Sequence, residues 1–238
     1  MAGSRARADR ERQPVMRAAL YWVPTRHSPL FAAGSAWLGR DAETGQPIVQ
    51  PEIPMFPNLA EATAGARRYG FHATLRPPMH LCTSLQALRA TAAAIAARHA
   101  PFILPPLQIT GLDGFLAITE TARCEPLHAL ADDCVLATDP HRAPPSAAEQ
   151  ARRRAAGLTA EQEDMLSAHG YPYALKTWFF HLTLTRRLNS AEARLLRPAA
   201  EGVFAAALRE PCRVEDIALC VEEGAGDFRL AERFALLG

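Results

Sequence analysis

Tyr69-Gly70-Phe71-His72-Ala73-Thr74-Leu75-Arg76 returns further along the chain as Trp178-Phe179-Phe180-His181-Leu182-Thr183-Leu184-Thr185. Each copy reads aromatic, His, any residue, Thr, Leu, within an apolar run that reads as a strand. Successive side chains of a strand point to opposite faces, so residues two apart share a face. His72 and Thr74 therefore point one way, as do His181 and Thr183. Ala73 and Leu75, like Leu182 and Leu184, point the other way, into a core. Each copy presents an imidazole and a hydroxyl on one face, anchored by apolar residues behind.

Working outward from the two motifs, the strand at 71–76 is expected to stop at Pro77-Pro78. Thr83 with Gln86 three residues on reads as a capping box, and Leu85, Leu88, Ala92 and Ile95 make a helical stripe over 84–99. Residues 102–110 read as a strand that turns at Gly111-Leu112-Asp113-Gly114 and returns over Phe115–Thr119. The second motif strand is expected over 177–185. Asn189 or Ser190 caps a helix to about Leu208, residues 213–221 form a strand, and the last strand follows a turn at 222–226. From His72 to Phe115 is 43 residues and from His181 to Phe228 is 47. Two motifs that lead the same strand–helix–hairpin unit at nearly equal spacing imply an internal duplication.

The remaining segments are less patterned. Residues 15–23 read as a strand closed by Pro24, and 24–62 as a long irregular segment with a short helix near 30–37. Pro126 opens a helix with Leu127, Leu130 and Cys134 on one face. Residues 139–145 form a linker, and helices capped by Ser146 and by Thr159 follow, the second ending at Gly170. Arg152, Arg153 and Arg154 fan around the first of these and read as a solvated face. Residues 1–14 read as a disordered basic tail. The expected organisation is α+β: one bilobal domain over 15–238, with lobe 1 at about 15–120, a helical insertion at about 121–176 and lobe 2 at about 177–238.

Composition narrows the classes. The chain is 49% hydrophobic and 21% charged, ordinary for a globular protein. The formal net charge is +1; the tail carries +2, from Arg5, Arg7, Arg10 and Arg12 against Asp9 and Glu11, so the body carries −1. A nearly neutral body argues against a dedicated nucleic-acid binder. No apolar run is long enough to span a membrane, which needs about 20 residues. The five cysteines, Cys82, Cys124, Cys134, Cys212 and Cys220, are odd in number and lack Cys-x-x-Cys spacing. They suggest neither a disulfide framework nor a zinc site, but a reduced, cytoplasmic setting.

The duplicated pair suits phosphodiester cleavage. One imidazole can take a proton from the attacking oxygen while another protonates the leaving oxygen on the opposite side. Two Thr hydroxyls can donate to the phosphoryl oxygens, where charge accumulates. Metal ligation is the weaker reading, since His-x-Thr is not a ligand signature and no carboxylates accompany it. No cofactor is called for. The other six histidines, His27, His80, His99, His128, His141 and His169, have no such context.

At these residues the chain resembles the two-histidine phosphoesterase superfamily, which includes RNA 2′,3′-cyclic phosphodiesterases and the bacterial RNA 2′–5′ ligase-like (LigT-like) proteins. The resemblance implies a bilobal fold of two pseudo-symmetric βαββ-type lobes, with antiparallel sheets around a central cleft and inserted helices. It also implies His72, Thr74, His181 and Thr183 as the catalytic set. Ser35–Asp41, Arg68–Leu75, Arg142-Ala143-Pro144 and Gly170–Tyr173 look like the branch found in bacterial phosphonate-utilisation operons, associated with the carbon–phosphorus lyase pathway. That branch implies a cyclic phosphodiesterase acting on a small phosphorylated sugar, with 5-phosphoribosyl 1,2-cyclic phosphate as the leading substrate. His141 departs from the aromatic residue expected there. A substrate with a second phosphate needs a further cation, for which Arg142 comes first and Arg76 second, while Tyr69 and Tyr173 are candidates to line the cleft. The competing expectations are an RNA-end processing phosphodiesterase and a non-catalytic binder of a phosphate metabolite.

Overall fold

The computed structural model describes residues 16–155, 157–224 and 226–238. The tail expected over 1–14 lies outside them. Seven strands join one sheet in the order β4-β5-β6-β2-β1-β8-β9, where β1 is Met16–Trp22, β2 Ala73–His80, β4 Leu107–Leu112, β5 Phe115–Glu120, β6 Leu182–Thr183, β8 Asp216–Glu223 and β9 Arg229–Ala235. Every neighbouring pair runs antiparallel. A two-stranded sheet pairs β3 (Phe102–Ile103) with β7 (Arg213–Val214). The helices are α1 (Pro29–Leu38), α2 (Leu59–Arg67), α3 (Leu85–Ala96), α4 (Glu125–Thr138), α5 (Ala147–Arg154), α6 (Ala160–His169) and α7 (Ser190–Phe204). The architecture is thus α+β with antiparallel sheets, as the sequence implied.

The duplication is visible in the chain's spacing. The starts of β2 and β6 lie 109 residues apart, and so do the starts of β4 and β8. The two motif strands are neighbours at the middle of the sheet. The hairpins that close each sequence repeat cross over: β4-β5 follows the first motif yet flanks the second, and β8-β9 follows the second yet lies on the first motif's side. Each half of the sheet therefore takes strands from both repeats. β5 and β9, both read as returning strands, are not equivalents. β5 lies beside a motif strand, as β1 does, whereas β9 is the edge strand beside β8.

The alternation of the motifs is obeyed. Ala73, Leu75, Leu182 and Leu184 are all 0% exposed. Phe71, ahead of β2, is equally buried and packs where Gly34 of α1 lacks a side chain; a Cβ on Gly34 would come within 2.2 Å of the Phe71 ring. Two indoles tie down the motif backbones. Trp178 Nε1 donates to the Thr74 carbonyl at 2.9 Å and Trp37 Nε1 to the Leu184 carbonyl at 3.0 Å.

Several local expectations change. β2 does not stop at Pro77-Pro78 but continues to His80, with two register shifts against β1. Proline has no N–H for the ladder, and the irregular pairing accommodates it. The cap of α3 is Ser84, whose hydroxyl accepts from the Ala87 amide. Thr83 pairs instead with His141 Nδ1 at 2.7 Å, and Thr91 with His141 Nε2 at 2.8 Å, so buried His141 ties the 139–141 turn to α3. Pro105-Pro106 divide the expected 102–110 strand into β3 and β4. The second motif ladders only at Leu182–Thr183, after a single 3₁₀ turn at Leu175–Thr177. A second helix, α2, begins at Leu59 within the irregular 24–62 segment and runs beyond it to Arg67, and α7 ends at Phe204 rather than Leu208. All five cysteines are free, and no helix among the described residues is long and apolar enough to cross a membrane.

Candidate active site

The pairing of Ala73 with Leu182 sets the geometry of the site. In an antiparallel register His72 then lies opposite Thr183, and Thr74 opposite His181. Residues that face each other across an antiparallel pair share a face. The two His-x-Thr units are therefore laid head to tail, each imidazole beside the other unit's hydroxyl. All four line one cleft of about 450 Å3.

Backbone carbonyls fix both imidazoles. His72 Nδ1 lies 2.9 Å from the Gly70 carbonyl and His181 Nδ1 lies 3.3 Å from the Phe179 carbonyl. A carbonyl can only accept, so each neutral ring carries its proton on Nδ1 and offers an Nε2 lone pair. His72 Nε2 meets the Thr74 hydroxyl at 3.2 Å. Tyr21 stacks on His72 with centroids 3.7 Å apart, and Phe179 stacks on His181 at 4.8 Å. Burial pushes the His72 imidazole down to about 4, opposed by the Gly70 carbonyl and reinforced by His181. Burial also lowers His181, opposed by the Phe179 carbonyl. Both rings are neutral near pH 7 when the cleft is empty of anions.

The walls are cationic. Arg17, Arg152, Arg153 and Arg186 line the cleft, and no carboxylate does among the described residues. Arg153 pairs with Glu149 at 2.7 Å and lies over the Tyr171 ring, 4.9 Å from its centroid. Arg186 pairs with Glu192 at 3.0 Å. Among the described residues, no three His, Cys, Asp or Glu side chains cluster as metal ligands would.

The other expected residues divide. Tyr69 lines the cleft, stacked on Phe228 at 5.2 Å. Tyr173 stands one layer back, edge-on to Phe179, and Tyr171 takes its place in the wall. Arg76 is not in the cleft. Tyr21 pairs with Thr74, but the next β1 residue back, Leu20, pairs with Arg76, so one extra β2 residue reverses the alternation. Arg76 thus points away from Thr74's face, is 1% exposed, and bonds Asp139 at 3.0 Å. Arg142 is bound to Asp139 at 3.2 Å and to the Ala168 carbonyl at 3.0 Å, and lines an adjoining chamber rather than the cleft. Sequence reasoning missed Tyr21, Arg17, Arg152 and Arg153. Arg17 and Tyr21 carried a signal, being four apart on one strand; Arg152 and Arg153 carried only their clustering.

The profile of a family described as "Protein of unknown function (DUF1045)" matches residues 74–229. The chain belongs to the DUF1045 family. It is 38% identical over 222 residues to a Janthinobacterium sp. (strain Marseille) protein named ribose 1,5-bisphosphate phosphokinase PhnN, covering 90% of this chain and 49% of that one. A Laribacter hongkongensis protein of the same name is 37% identical over 225 residues, covering 93% of this chain and 52% of its own length. The chain thus spans about half the length of these curated relatives. Among solved structures, E. coli LigT complexed with 3′-AMP aligns with a TM-score of 0.43 at 13% identity, covering 94% of this chain and 99% of LigT. LigT complexed with ATP aligns with a TM-score of 0.44 at 12% identity, covering 95% and 99%.

Proposed function

We propose that this protein is a metal-independent cyclic phosphodiesterase of the two-histidine type, acting on a small phosphorylated sugar. The observation that carries the proposal is the head-to-tail register of β2 and β6, which sets two Nε2 lone pairs and two Thr hydroxyls around one cleft that no carboxylate lines among the described residues. A cyclic phosphodiester bound there has an imidazole on either side. One imidazole accepts the proton of the attacking water. The other, protonated once the anionic phosphate offsets its desolvation, gives a proton to the leaving ring oxygen. Thr74 and Thr183 donate to the non-bridging oxygens. The water's oxygen forms the new P–O bond, the ring P–O bond breaks, and the product is a phosphomonoester.

The leading substrate is 5-phosphoribosyl 1,2-cyclic phosphate. Its ribose carries phosphate at the same two ends as the ribose 1,5-bisphosphate in the relatives' name. The proposal does not carry over the phosphokinase activity in that name, since the sequence has no Gly-x-x-x-x-Gly-Lys-Ser/Thr phosphate loop and its one lysine is Lys176.

Phosphorus NMR with this compound and, separately, with a 2′,3′-cyclic nucleotide tests the proposal in the presence of EDTA. Loss of the cyclic resonance with the sugar phosphate is the expected result, and turnover of the nucleotide alone moves the protein to RNA processing. His72→Ala and His181→Ala each lower kcat by about 10²–10⁴-fold. A loss of less than about tenfold in both overturns the assignment.

A further inference from the structure

The cleft does not end at the two histidines. A second chamber of about 290 Å3 adjoins it, and Arg17, Pro78 and Arg152 line both. Strand alternation puts Arg17 and Tyr21 on the same face of β1, about 13 Å apart along the strand. Arg17 shares the Glu222 carboxylate with Arg68, so two guanidinium groups meet one negative charge. Arg152 is exposed and has no hydrogen-bond or ion-pair partner among the described residues. Glu149 is the one carboxylate lining the second chamber among those residues, and it is already paired with Arg153.

Tyr21 supplies the independent observation. It is 1% exposed and lines the cleft, yet its hydroxyl has no hydrogen-bond partner among the described residues. A buried hydroxyl left unpaired is costly and calls for an explanation. Its ring is held against His72, and its surroundings include Tyr69, Tyr171 and Arg17. It lies on the side of the reacting centre that leads to Arg17.

We propose that Tyr21, Arg17 and Arg152 form a subsite for a second, non-reacting phosphomonoester on the substrate whose cyclic phosphate sits between His72 and His181. The Tyr21 hydroxyl donates to it, and Arg17 and Arg152 neutralise it. Tyr21 lines the cleft while Arg17 and Arg152 line both cleft and chamber, so the subsite lies where the one opens into the other; the described residues of the second chamber include no His-x-Thr pair, so the group is bound there without being turned over. Arg142, the first candidate from the sequence, stays with Asp139 and the Ala168 carbonyl as part of the chamber wall. This assignment rests on the phosphodiesterase reading.

Two measurements on the full chain test it. The first is calorimetric titration with ribose 5-phosphate, which involves no turnover. Tyr21→Phe and Arg152→Gln each weaken binding by about ten- to a hundredfold, the loss expected for a hydrogen bond to a charged group. Tyr21→Phe leaves Tm unchanged or higher, because the hydroxyl it removes has no partner among the described residues; a purely structural role predicts the opposite. The second compares kcat/KM for a nucleoside 2′,3′-cyclic phosphate with and without a 5′-phosphate. The wild type prefers the 5′-phosphorylated compound, and both variants lose most of that preference. Unchanged ribose 5-phosphate binding in both variants overturns the subsite, as does equal turnover of the two cyclic compounds by the wild type. Turnover of neither compound, nor of the sugar cyclic phosphate, removes the hydrolase reading alone, and the titration still decides the subsite.

Discussion

Gly70 has φ 76°, a conformation glycine adopts without strain. The carbonyl of this turn residue accepts from His72 Nδ1. On the second motif the Phe179 carbonyl does the same for His181, so one tautomer is specified twice by backbone. Burial then lowers both imidazoles, His72 to about 4. The pH dependence follows. The base must be neutral, which holds above its folded pKa, and the acid must be protonated, which holds below its own. With both values depressed in the free enzyme, kcat/KM peaks on the acid side of the ordinary histidine value of about 6.5 and declines as pH rises from there. A bound phosphate favours the imidazolium, so the kcat profile lies at higher pH than that of kcat/KM. Parallel profiles of the two constants check this, and a kcat/KM optimum above about pH 7.5 contradicts it. The residues of this mechanism were legible because His-x-Thr needs only strand alternation to be read. Tyr21 was not legible: as an aromatic in a buried strand it looks like core, and only its pairing with Thr74 reveals that it faces the site.

At the scale of elements, the wall beside the His-x-Thr motifs depends on one carboxylate. Asp139 accepts from Arg76 of β2, from Arg142 and from His169 at the end of α6. Burial works to raise its pKa, but His169, Arg76 and Arg142 together hold it below the ordinary carboxylate value. Asp139 therefore ties the α5–α6 insertion to the motif strand, and α5 carries Arg152 and Arg153 while Tyr171 follows α6. Asp139→Asn leaves the buried Arg76 guanidinium without its counter-charge, a change that typically costs about 3–5 kcal/mol. Urea unfolding of this variant is expected to show a loss of that order; a loss below about 1 kcal/mol refutes the role. Both helix caps here, Ser146 and Thr159, were legible in the sequence because caps are local. It did not locate Arg76, whose direction is set by an irregular pairing between strands distant in the chain. Nor did it show that the Arg152–Arg154 run brings Arg152 and Arg153 to the rim and wall of the cleft, because that depends on where the helix docks.

At the scale of the molecule, the approximate duplication explains why the site is symmetric, and the charge distribution shows where the two halves stop being alike. A formal net charge of +1 suggests no electrostatic specialisation. The cleft nonetheless gathers four arginines and two histidines without a carboxylate among the described residues, and its cations come from β1, α5 and the segment after β6. Such concentration in a concave, partly desolvated site focuses the field and raises encounter with anions, by about 10–10³-fold in known cases. With the four cleft arginines set aside, the rest of the chain carries a formal −3 and adds no attraction of its own for an anion, so the attraction is short-ranged and salt screens it: the Debye length falls from about 30 Å at 0.01 M to about 3 Å at 1 M. For an anionic substrate kcat/KM is therefore expected to fall by about tenfold or more between those two ionic strengths. The decline is steeper for a substrate with two phosphates than for one with a single cyclic phosphate, because both the histidine cleft and its arginine-lined extension are then engaged. The loss appears mainly in KM, since proton transfer inside the closed contact of imidazole and phosphate is screened little. A kcat/KM indifferent to salt, or a loss confined to kcat, separates the arginines from substrate capture and leaves them a structural role.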